Sequence, residues 1–355
     1  MHQMVCSSIV LREQSRLRVA VVGASGYTGA ELLRLCAQHP RLEVVAATGD
    51  SQAGVRAAEV HPSLAVRYPD LVIDEFDPQS LVGVDLVVLG LPHEASLAAV
   101  RELHGQVGCI VDLSAAFRLK DASLYPTWYR FDHDQPDLLA AAVYGLPERH
   151  RSALAGAALV ATPGCHVTAA TLALAPLVDA GLIDRRGVIV NSITGVSGAG
   201  RLLKHASQFC TVNEDVQAYG LLDHRHTPEI EQETGAEVLF TPHLAPMNRG
   251  ILATCYARPG GMSPLGTERL QAALREAYAG EPFVAVVDQP PSTKATLGSN
   301  AAHLTARFDE RTGTVIAMCA IDNLAKGAAG GAIQAANVAL GLPEEMGLAA
   351  VGVYP

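Results

Sequence analysis

A strand, a glycine-rich turn, a helix and a second strand follow one another near the start of the chain. Residues 16–22 (RLRVAVV) form a short β-branched apolar run, which is typical of a buried strand. A glycine turn over 23–29 comes next, then a helical pattern over 30–38 and a second strand over 42–48. This order predicts a βαβ unit, with the glycine turn at the carboxyl end of the first strand.

The glycine turn predicts a dinucleotide site, because the backbone N–H groups at a helix start can bind a diphosphate. Its spacing is GxxGxxG instead of the commoner GxGxxG, so the prediction depends on its placement between a strand and a helix. A tight turn without a ligand is the alternative. Asp50 follows the second strand, where an acid usually binds a ribose 2′-hydroxyl and disfavours a 2′-phosphate. The residues therefore leave the choice between NAD and NADP open.

Length and charge restrict the classes of function. The chain has 355 residues, which favours two domains over one. Its formal net charge of −10 argues against a nucleic-acid backbone or an anionic membrane as the main partner. We find no apolar run of about 18 residues and therefore expect no membrane span. A small anionic substrate remains compatible with this charge, because local arginines decide its binding.

The seven cysteines are widely spaced and include no CxxC pair. Neither a disulfide framework nor a metal site is predicted from such a pattern. It fits a reducing cytoplasm, in which a lone thiol stays available.

Cys165 lies between a Pro-Gly break and an apolar segment that reads as a helix. The free N–H groups and the dipole of a helix start favour a thiolate, so this cysteine is a candidate nucleophile. A small buried cysteine at the start of a core helix is the alternative.

Several other polar residues are candidates for the same site. His93 and Arg118 follow predicted strands over 85–91 and 109–113, whose carboxyl ends should face the crevice that the glycine turn faces. A glycine-rich loop over 195–200 ends in Arg201. The segment 224–230 (HRHTPEI) places two histidines beside an arginine and could supply a proton acceptor and donor. From the residues, either His224 or His226 could transfer the proton.

The predicted fold is α/β, with two domains. We expect an N-terminal extension over 1–15 and a Rossmann-type, parallel-sheet domain over 16–164, which the C-terminal segment 325–355 completes with a helix. A catalytic and oligomerisation domain over 165–324 should contain a mainly antiparallel sheet. Its predicted strands cover residues 187–194, 237–241, 250–257, 283–287, 303–308 and 314–320. Residues 125–133 are predicted to form a loop or lid.

A dinucleotide site, an activated cysteine, histidines and arginines together suit reduction of an acyl phosphate through a thioester. The sequence resembles the N-acetyl-γ-glutamyl-phosphate reductases, the arginine-pathway family within the aspartate-semialdehyde dehydrogenase superfamily. The matching stretches run in the family's order across nearly the whole chain: VGASGYTGAELLRL (22–35), LGLPHEAS (89–96), VDLSAAFRL (111–119), VYGLPE (143–148), TPGCHVTAA (162–170), ITGVSGAGR (193–201), HRHTPEI (224–230), FTPHLAPMNRGILAT (240–254), GSNAAH (298–303) and IDNLAKGAAGGAIQ (321–334).

The resemblance implies an NADPH-dependent reduction of an acyl phosphate to a semialdehyde, with release of phosphate, by a homodimer or homotetramer. It implies Cys165 as the nucleophile, with His224 and His226 assisting proton transfer. The implied cofactor contacts are Gly23, Ser25, Gly26, Tyr27, Thr28, Gly29, Ser51, Pro92, Ser197, Gly198, Asn323 and Lys326. The candidates for binding the substrate are Arg118, Arg201 and Arg225, which would bind its anionic groups, and Glu229.

Three positions depart from the family's usual residues. Thr162 replaces an asparagine, His166 replaces a tyrosine, and Ala116 replaces an aspartate. The cysteine is intact, so these departures affect the exact substrate and not the reaction type. Two alternatives to the reductase of a free N-acetylated substrate stay open. The chain could reduce an acyl phosphate held on a carrier protein or a secondary-metabolic analogue, or it could be a non-catalytic protein that binds NADP(H).

Overall fold

The predicted βαβ unit is present and begins a six-stranded parallel sheet. The computed structural model describes residues 16–261 and 264–355, so the predicted extension over 1–15 lies outside the described residues. The parallel sheet has the strand order β2-β1-β5-β6-β8-β7, and β3 and β4 form a separate antiparallel pair. The strands are β1 (Leu17–Val22), β2 (Leu42–Thr48), β3 (Val55–Arg56), β4 (Val72–Ile73), β5 (Leu86–Leu89), β6 (Cys109–Asp112), β7 (Val143–Tyr144) and β8 (Leu159–Ala161).

Helices cover both faces of this sheet and bury the apolar strands between them. One face packs against α1 and the other against α3, so the near-continuous apolar strands are explained by burial on both sides. The helices of this region are α1 (Tyr27–Gln38), α2 (Ala57–Val60), α3 (His93–Leu103), α4 (Tyr125–Tyr129), α5 (Pro136–Ala141) and α6 (Pro147–Leu154).

The predicted lid over 125–133 is wrong for its first half. Residues Tyr125–Tyr129 form α4, and Tyr125 is completely buried in the core. The Tyr125 hydroxyl accepts a hydrogen bond from the Leu119 N–H at 3.0 Å. The aromatic residues of this segment therefore anchor it on the sheet.

The order of the strands reverses between β2-β1 and β5-β6. At such a switch point the loops after neighbouring strands diverge and leave a crevice. Gly23, after β1, and Gly90, after β5, face each other there. The fold thus places the glycine turn at the expected ligand-binding edge.

A second sheet of seven strands has the order β10-β11-β9-β12-β15-β14-β13. Four of its pairings are antiparallel, whereas β9 with β11 and β13 with β14 are parallel, so the predicted mainly antiparallel sheet is confirmed. Its strands are β9 (Val188–Gly195), β10 (Gln217–Ala218), β11 (Val238–Ala245), β12 (Ile251–Ala257), β13 (Val284–Val286), β14 (Ala302–Asp309) and β15 (Thr314–Ile321). Strand β11 continues past the predicted end at 241, because Pro242 still pairs in register with β9.

The apolar helix α7 (Cys165–Asp179) packs against one face of the second sheet and is buried on almost every side. The other helices here are α8 (Phe209–Val212), α9 (Thr227–Thr234), α10 (Thr267–Ala277) and α11 (Gly330–Ala339), and Ala325–Ala329 form a π-helical turn. Helix α11 packs beside α1 and α6 in the core of the parallel-sheet region. This contact supports the proposal that the C-terminal segment completes the first domain.

An ion-pair network joins the two regions next to the turn that contains Asn323. Arg249, before β12, donates to Glu31 on α1 and to Asp322 after β15. Asp322 is fully buried and also accepts from the Leu324 and Ala325 N–H groups at 2.8 and 2.9 Å, which orders the turn that contains Asn323. Across the described ranges, no helix has both the length and the apolar composition to cross a bilayer.

Candidate active site

A cavity of about 630 Å³ lies between the two regions and brings the predicted chemistry together. The glycine turn forms one wall, and the start of α7 with Cys165 forms another. The predicted site residues that line it are Gly23, Gly26, Tyr27, Thr28, Gly29, His93, Arg118, Cys165, Ser197, Gly198, Arg201, His224, Arg225, His226 and Asn323.

Cys165 is the first residue of α7 and is partly exposed to the cavity. Burial raises the pKa of its thiol to about 11, although the Arg118 charge and the backbone N–H groups of the helix start act in the opposite direction. The helix start therefore acts on the thiol in the predicted direction, but desolvation outweighs it and raises the pKa. Cys165 needs a proton acceptor to become a nucleophile.

The histidine cluster beside Cys165 offers neutral imidazoles. Burial, followed by the charge of Arg225, lowers the pKa of His224 to about 4, and burial lowers the pKa of His226 as well. His224 Nδ1 accepts the His226 backbone N–H at 3.1 Å, so a neutral His224 carries its proton on Nε2. His226 Nδ1 is buried without a hydrogen-bond partner among the described residues.

The His226 ring lies directly against the residue before the cysteine. A Cβ on Gly164 would lie 2.3 Å from His226 Nε2, a separation that no side chain tolerates. Glycine at position 164 therefore allows the imidazole to reach the start of α7.

Glu229 holds the backbone at the residue before the cysteine. It is fully buried, and its Oε1 accepts the Gly164 N–H at 2.9 Å and the Tyr144 hydroxyl at 2.7 Å. Arg118 Nη1 lies 3.4 Å from Glu229 Oε2. The proposed contact between Glu229 and the substrate is wrong in this structure, because its carboxylate is shielded from the cavity by these partners.

The glycine turn has the close approach that a diphosphate site requires. Gly23 has φ +86°, and a Cβ at this position would lie 2.4 Å from the Gly90 carbonyl oxygen. A Cβ on Gly29 would lie 2.4 Å from the Gly23 carbonyl oxygen, so the turn closes tightly on the start of α1. This backbone cradle, open to the cavity at Gly26, fits the diphosphate of a dinucleotide.

The opposite wall of the cofactor region is ordered by Asn323. Its Nδ2 donates to Ser197 Oγ at 3.0 Å, and its Oδ1 accepts the Gly250 N–H at 2.7 Å. Ser197 and Gly198 therefore have fixed positions along the cavity, and their contact with a nicotinamide stays a prediction.

Lys326 does not contact the cavity, which corrects its predicted role in cofactor binding. Its side chain is 2% exposed and donates to Glu148 and Gln334 within the core. The π-helical turn directs this lysine inward, whereas Gly327 and Ala328 face the cavity. Ser25, Ser51 and Pro92 are not among the lining residues of the described chain, and their cofactor contacts stay predictions.

Sequence reasoning missed several residues that complete the site. Tyr144 holds Glu229, Tyr219 lines the cavity, and Gly327 lies so close to Cys165 that a Cβ would be 2.9 Å from the cysteine Cβ. Tyr144 and Gly327 do lie within the family-like stretches VYGLPE and IDNLAKGAAGGAIQ. Tyr219 lies in none of them, so only the folded chain reveals it.

Two family models match the chain in succession. Residues 18–157 match the semialdehyde dehydrogenase NAD binding domain, and residues 165–323 match the semialdehyde dehydrogenase dimerisation domain. Among solved structures, an aspartate semialdehyde dehydrogenase II from Vibrio cholerae has a TM-score of 0.67 at 17% identity, covering 92% of this chain and 99% of that one. An aspartate semialdehyde dehydrogenase with NADP from Candida albicans has a TM-score of 0.66 at 16% identity, covering 91% and 98%. Fold and site thus define an NAD(P)-binding oxidoreductase of the semialdehyde dehydrogenase class.

Curated relatives give the particular family. The N-acetyl-gamma-glutamyl-phosphate reductase of Pelotomaculum thermopropionicum is 46% identical over 348 residues, which is 96% of this chain and 99% of that protein. The reductase of the same name from Symbiobacterium thermophilum is 47% identical over 349 residues, with the same shares covered. The chain belongs to the N-acetyl-gamma-glutamyl-phosphate reductase family.

Proposed function

We propose that the protein reduces N-acetyl-γ-glutamyl phosphate to N-acetylglutamate 5-semialdehyde with NADPH and releases phosphate, as a step of arginine biosynthesis. One observation carries the proposal: a single cavity contains Cys165, the histidine pair and Arg118 beside a glycine turn that fits a diphosphate. Membership in the reductase family supports the substrate.

Cys165 is the nucleophile in this mechanism. Its sulfur attacks the acyl carbon and forms a thioester while the bond to the phosphate oxygen breaks. NADPH, when bound, supplies the hydride that reduces this thioester to the aldehyde level. Collapse of the reduced adduct breaks the carbon–sulfur bond, releases the aldehyde and regenerates Cys165.

The two histidines take different proton-transfer roles. His226 is the candidate acceptor of the Cys165 proton, because its ring abuts Gly164 and its Nδ1 has no partner among the described residues. His224 carries its proton on Nε2, because its Nδ1 accepts a backbone N–H, so it is the candidate donor toward substrate oxygen. Their low pKa values keep both rings neutral before the reaction begins.

Arginines supply the positive charge that an acyl phosphate requires. Arg118, Arg201 and Arg225 all line the cavity. Arg118 is held by Glu229, whereas Arg201 Nη1 donates to the Ser25 carbonyl oxygen at 2.8 Å on the cofactor side. We assign Arg118 and Arg225 to the substrate end and Arg201 to the boundary between substrate and cofactor.

Steady-state kinetics test this proposal. The purified protein should turn over N-acetylglutamate 5-semialdehyde, phosphate and NADP in the reverse direction and prefer NADPH over NADH in the forward direction. Turnover only with a carrier-protein-bound acyl phosphate would support the carrier-dependent alternative instead. A clear preference for NADH would assign the Asp50 carboxylate to the ribose 2′-hydroxyl and overturn the NADPH assignment.

We further propose a homodimer or homotetramer in the cytoplasm. The dimerisation domain supports association, and apolar side chains are exposed on the face of the second sheet opposite α7, including Ile189, Ile193 and Leu239. Light scattering after gel filtration should give a mass of two or four chains. A single-chain mass at micromolar concentration would contradict this proposal.

A further inference from the structure

His166, which replaces the family's usual tyrosine, forms a hydrogen-bonded chain with two other side chains. Its Nδ1 lies 2.7 Å from Ser192 Oγ on β9, and its Nε2 lies 3.0 Å from the Tyr219 hydroxyl. His166 is 2% exposed and Ser192 is fully buried, whereas Tyr219 reaches the cavity. This hydrogen-bonded chain of side chains therefore runs from the core of the second sheet to the wall of the active site.

The direction of the two hydrogen bonds of His166 follows from counting the protons that each side chain can donate. Burial lowers the pKa of His166 to about 3, so the ring is neutral and has one donor and one acceptor nitrogen. Within the described ranges, Ser192 Oγ has His166 Nδ1 as its only hydrogen-bond partner. A buried hydroxyl that fails to donate is costly, so Ser192 donates to Nδ1.

With Nδ1 accepting, the proton of His166 is on Nε2 and is donated to the oxygen of Tyr219. The Tyr219 oxygen is then an acceptor, and its own O–H is free to donate into the cavity. Burial raises the pKa of Tyr219, and a thiolate at Cys165 would raise it further, so its hydroxyl keeps its proton. The Tyr219 N–H donates to the Pro242 carbonyl oxygen at 3.1 Å, which anchors the residue to β11.

We propose that Tyr219 donates a hydrogen bond to an anionic oxygen of the acyl phosphate bound at Cys165, and that His166 and Ser192 are positioning residues that aim this donor. The inference rests on the proposed function for the identity of the substrate. The direction of the hydrogen bonds is independent of the proposed function, because it can be measured without turnover.

Kinetics of matched variants test the donor. Tyr219→Phe should lower kcat/KM for the acyl phosphate by about 10- to 100-fold, the effect of losing a hydrogen bond to a charged group. Its dissociation constant for NADPH, measured by fluorescence titration, should stay unchanged. Tyr278→Phe is the control, because the Tyr278 hydroxyl donates to the Leu172 carbonyl oxygen away from the cavity. An unchanged kcat/KM in Tyr219→Phe overturns the proposal.

A double-mutant cycle tests the positioning roles. Ser192→Ala removes the donor to Nδ1 with little change in volume, and we expect a fall in kcat/KM of about 3- to 10-fold. The same change added to Tyr219→Phe should cause no further loss, because the hydroxyl that it aims is already gone. Multiplicative losses would show that Ser192 acts on activity independently, which contradicts the proposed chain.

Nitrogen NMR of histidine-labelled protein reads the tautomer directly, with the His166 signal assigned from a His166→Gln variant. We expect the Nε2–H form, with Nδ1 unprotonated, and a shift of this population in Ser192→Ala. An Nδ1–H tautomer in the unchanged protein would overturn the inference even if the enzyme is active. Failure of the proposed function looks different, because the protein would then not turn over the acyl phosphate while the tautomer remained measurable.

Discussion

Glu229 Oε1 accepts a 2.9 Å hydrogen bond from the backbone N–H of Gly164, the residue immediately before Cys165. The same oxygen accepts the Tyr144 hydroxyl, and the second carboxylate oxygen faces Arg118. One buried carboxylate thus fixes the start of α7 relative to a tyrosine and an arginine of the parallel-sheet domain. The position of Gly164, and with it that of the adjoining Cys165, depends on a residue 65 positions along the chain from Gly164.

Glu229→Gln should lower both stability and kcat. The amide can still accept the Gly164 N–H, but the buried Arg118 loses its counter-charge, which costs about 3–5 kcal/mol of unfolding free energy. Denaturant unfolding and steady-state kinetics measure the two effects. Glu59→Gln is the control, because its ion pair with Arg56 is exposed and should contribute at most about 1 kcal/mol. Equal stability losses in both variants would contradict the structural role of Glu229.

Cys165→Ala should abolish turnover, with a loss of at least about 1,000-fold in kcat, because no other group forms the thioester. Binding of NADPH should persist, since the glycine turn is unchanged, and fluorescence titration measures it. Cys210→Ala is the control, because Cys210 is exposed and lies outside the cavity lining. If the kcat of Cys165→Ala were close to that of the unchanged protein, the thioester mechanism would be excluded.

Gly23→Ala should weaken NADPH binding by at least about 10-fold, because the new Cβ would displace the Gly90 backbone that shapes the cofactor crevice. Gly54→Ala is a matched control: Gly54 has φ +83°, against +86° for Gly23, but no heavy atom lies within 4 Å of its Cβ position. The control therefore carries the backbone strain without the clash. Calorimetric titration with NADPH compares the two variants. Similar dissociation constants for both would contradict the steric explanation.

Lys326→Met tests the corrected role of this lysine. Burial alone would raise the pKa of Glu148, but the charge and hydrogen bond of Lys326 lower it, so Glu148 is charged and depends on its partner. Removing Lys326 leaves that carboxylate unpaired in the core and should cost about 3–5 kcal/mol of unfolding free energy. The KM for NADPH of the folded variant should stay unchanged. A raised KM without loss of stability would restore Lys326 as a cofactor contact.

Stability should fall as the pH is lowered from about 6.5 to about 4. His166 and His224 have pKa values lowered to about 3 and about 4 in the folded protein, so over this window the unfolded chain binds more protons. Each fully shifted histidine contributes a slope of up to about 1.4 kcal/mol per pH unit. Urea unfolding at a series of pH values measures the slope. We expect His166→Gln to flatten it, and an unaltered slope would contradict the neutral, buried state of His166.

The local pattern of the chain predicted most of the elements and several of their roles. The βαβ unit at 16–48 was readable because apolar periodicity, a glycine turn and a crossover are short-range features. Six of the seven described strands of the second sheet were also readable, and most of their ends lie within one residue of the prediction, but the two-residue strand β10 was not predicted. The C-terminal end of β11 was not predicted correctly, because pairing with β9 continues through Pro242, a residue that usually interrupts a strand.

The sequence by itself also determined the family and singled out Cys165, His224, His226 and the glycine turn, since these occur in motifs of fixed spacing. Only the tertiary structure decided the direction of Lys326, the burial of Glu229 and the raised pKa of the Cys165 thiol. Side-chain direction and desolvation depend on contacts between segments that are far apart in the chain. For the same reason, the chain of Ser192, His166 and Tyr219 becomes visible only when β9, α7 and the segment after β10 are packed together.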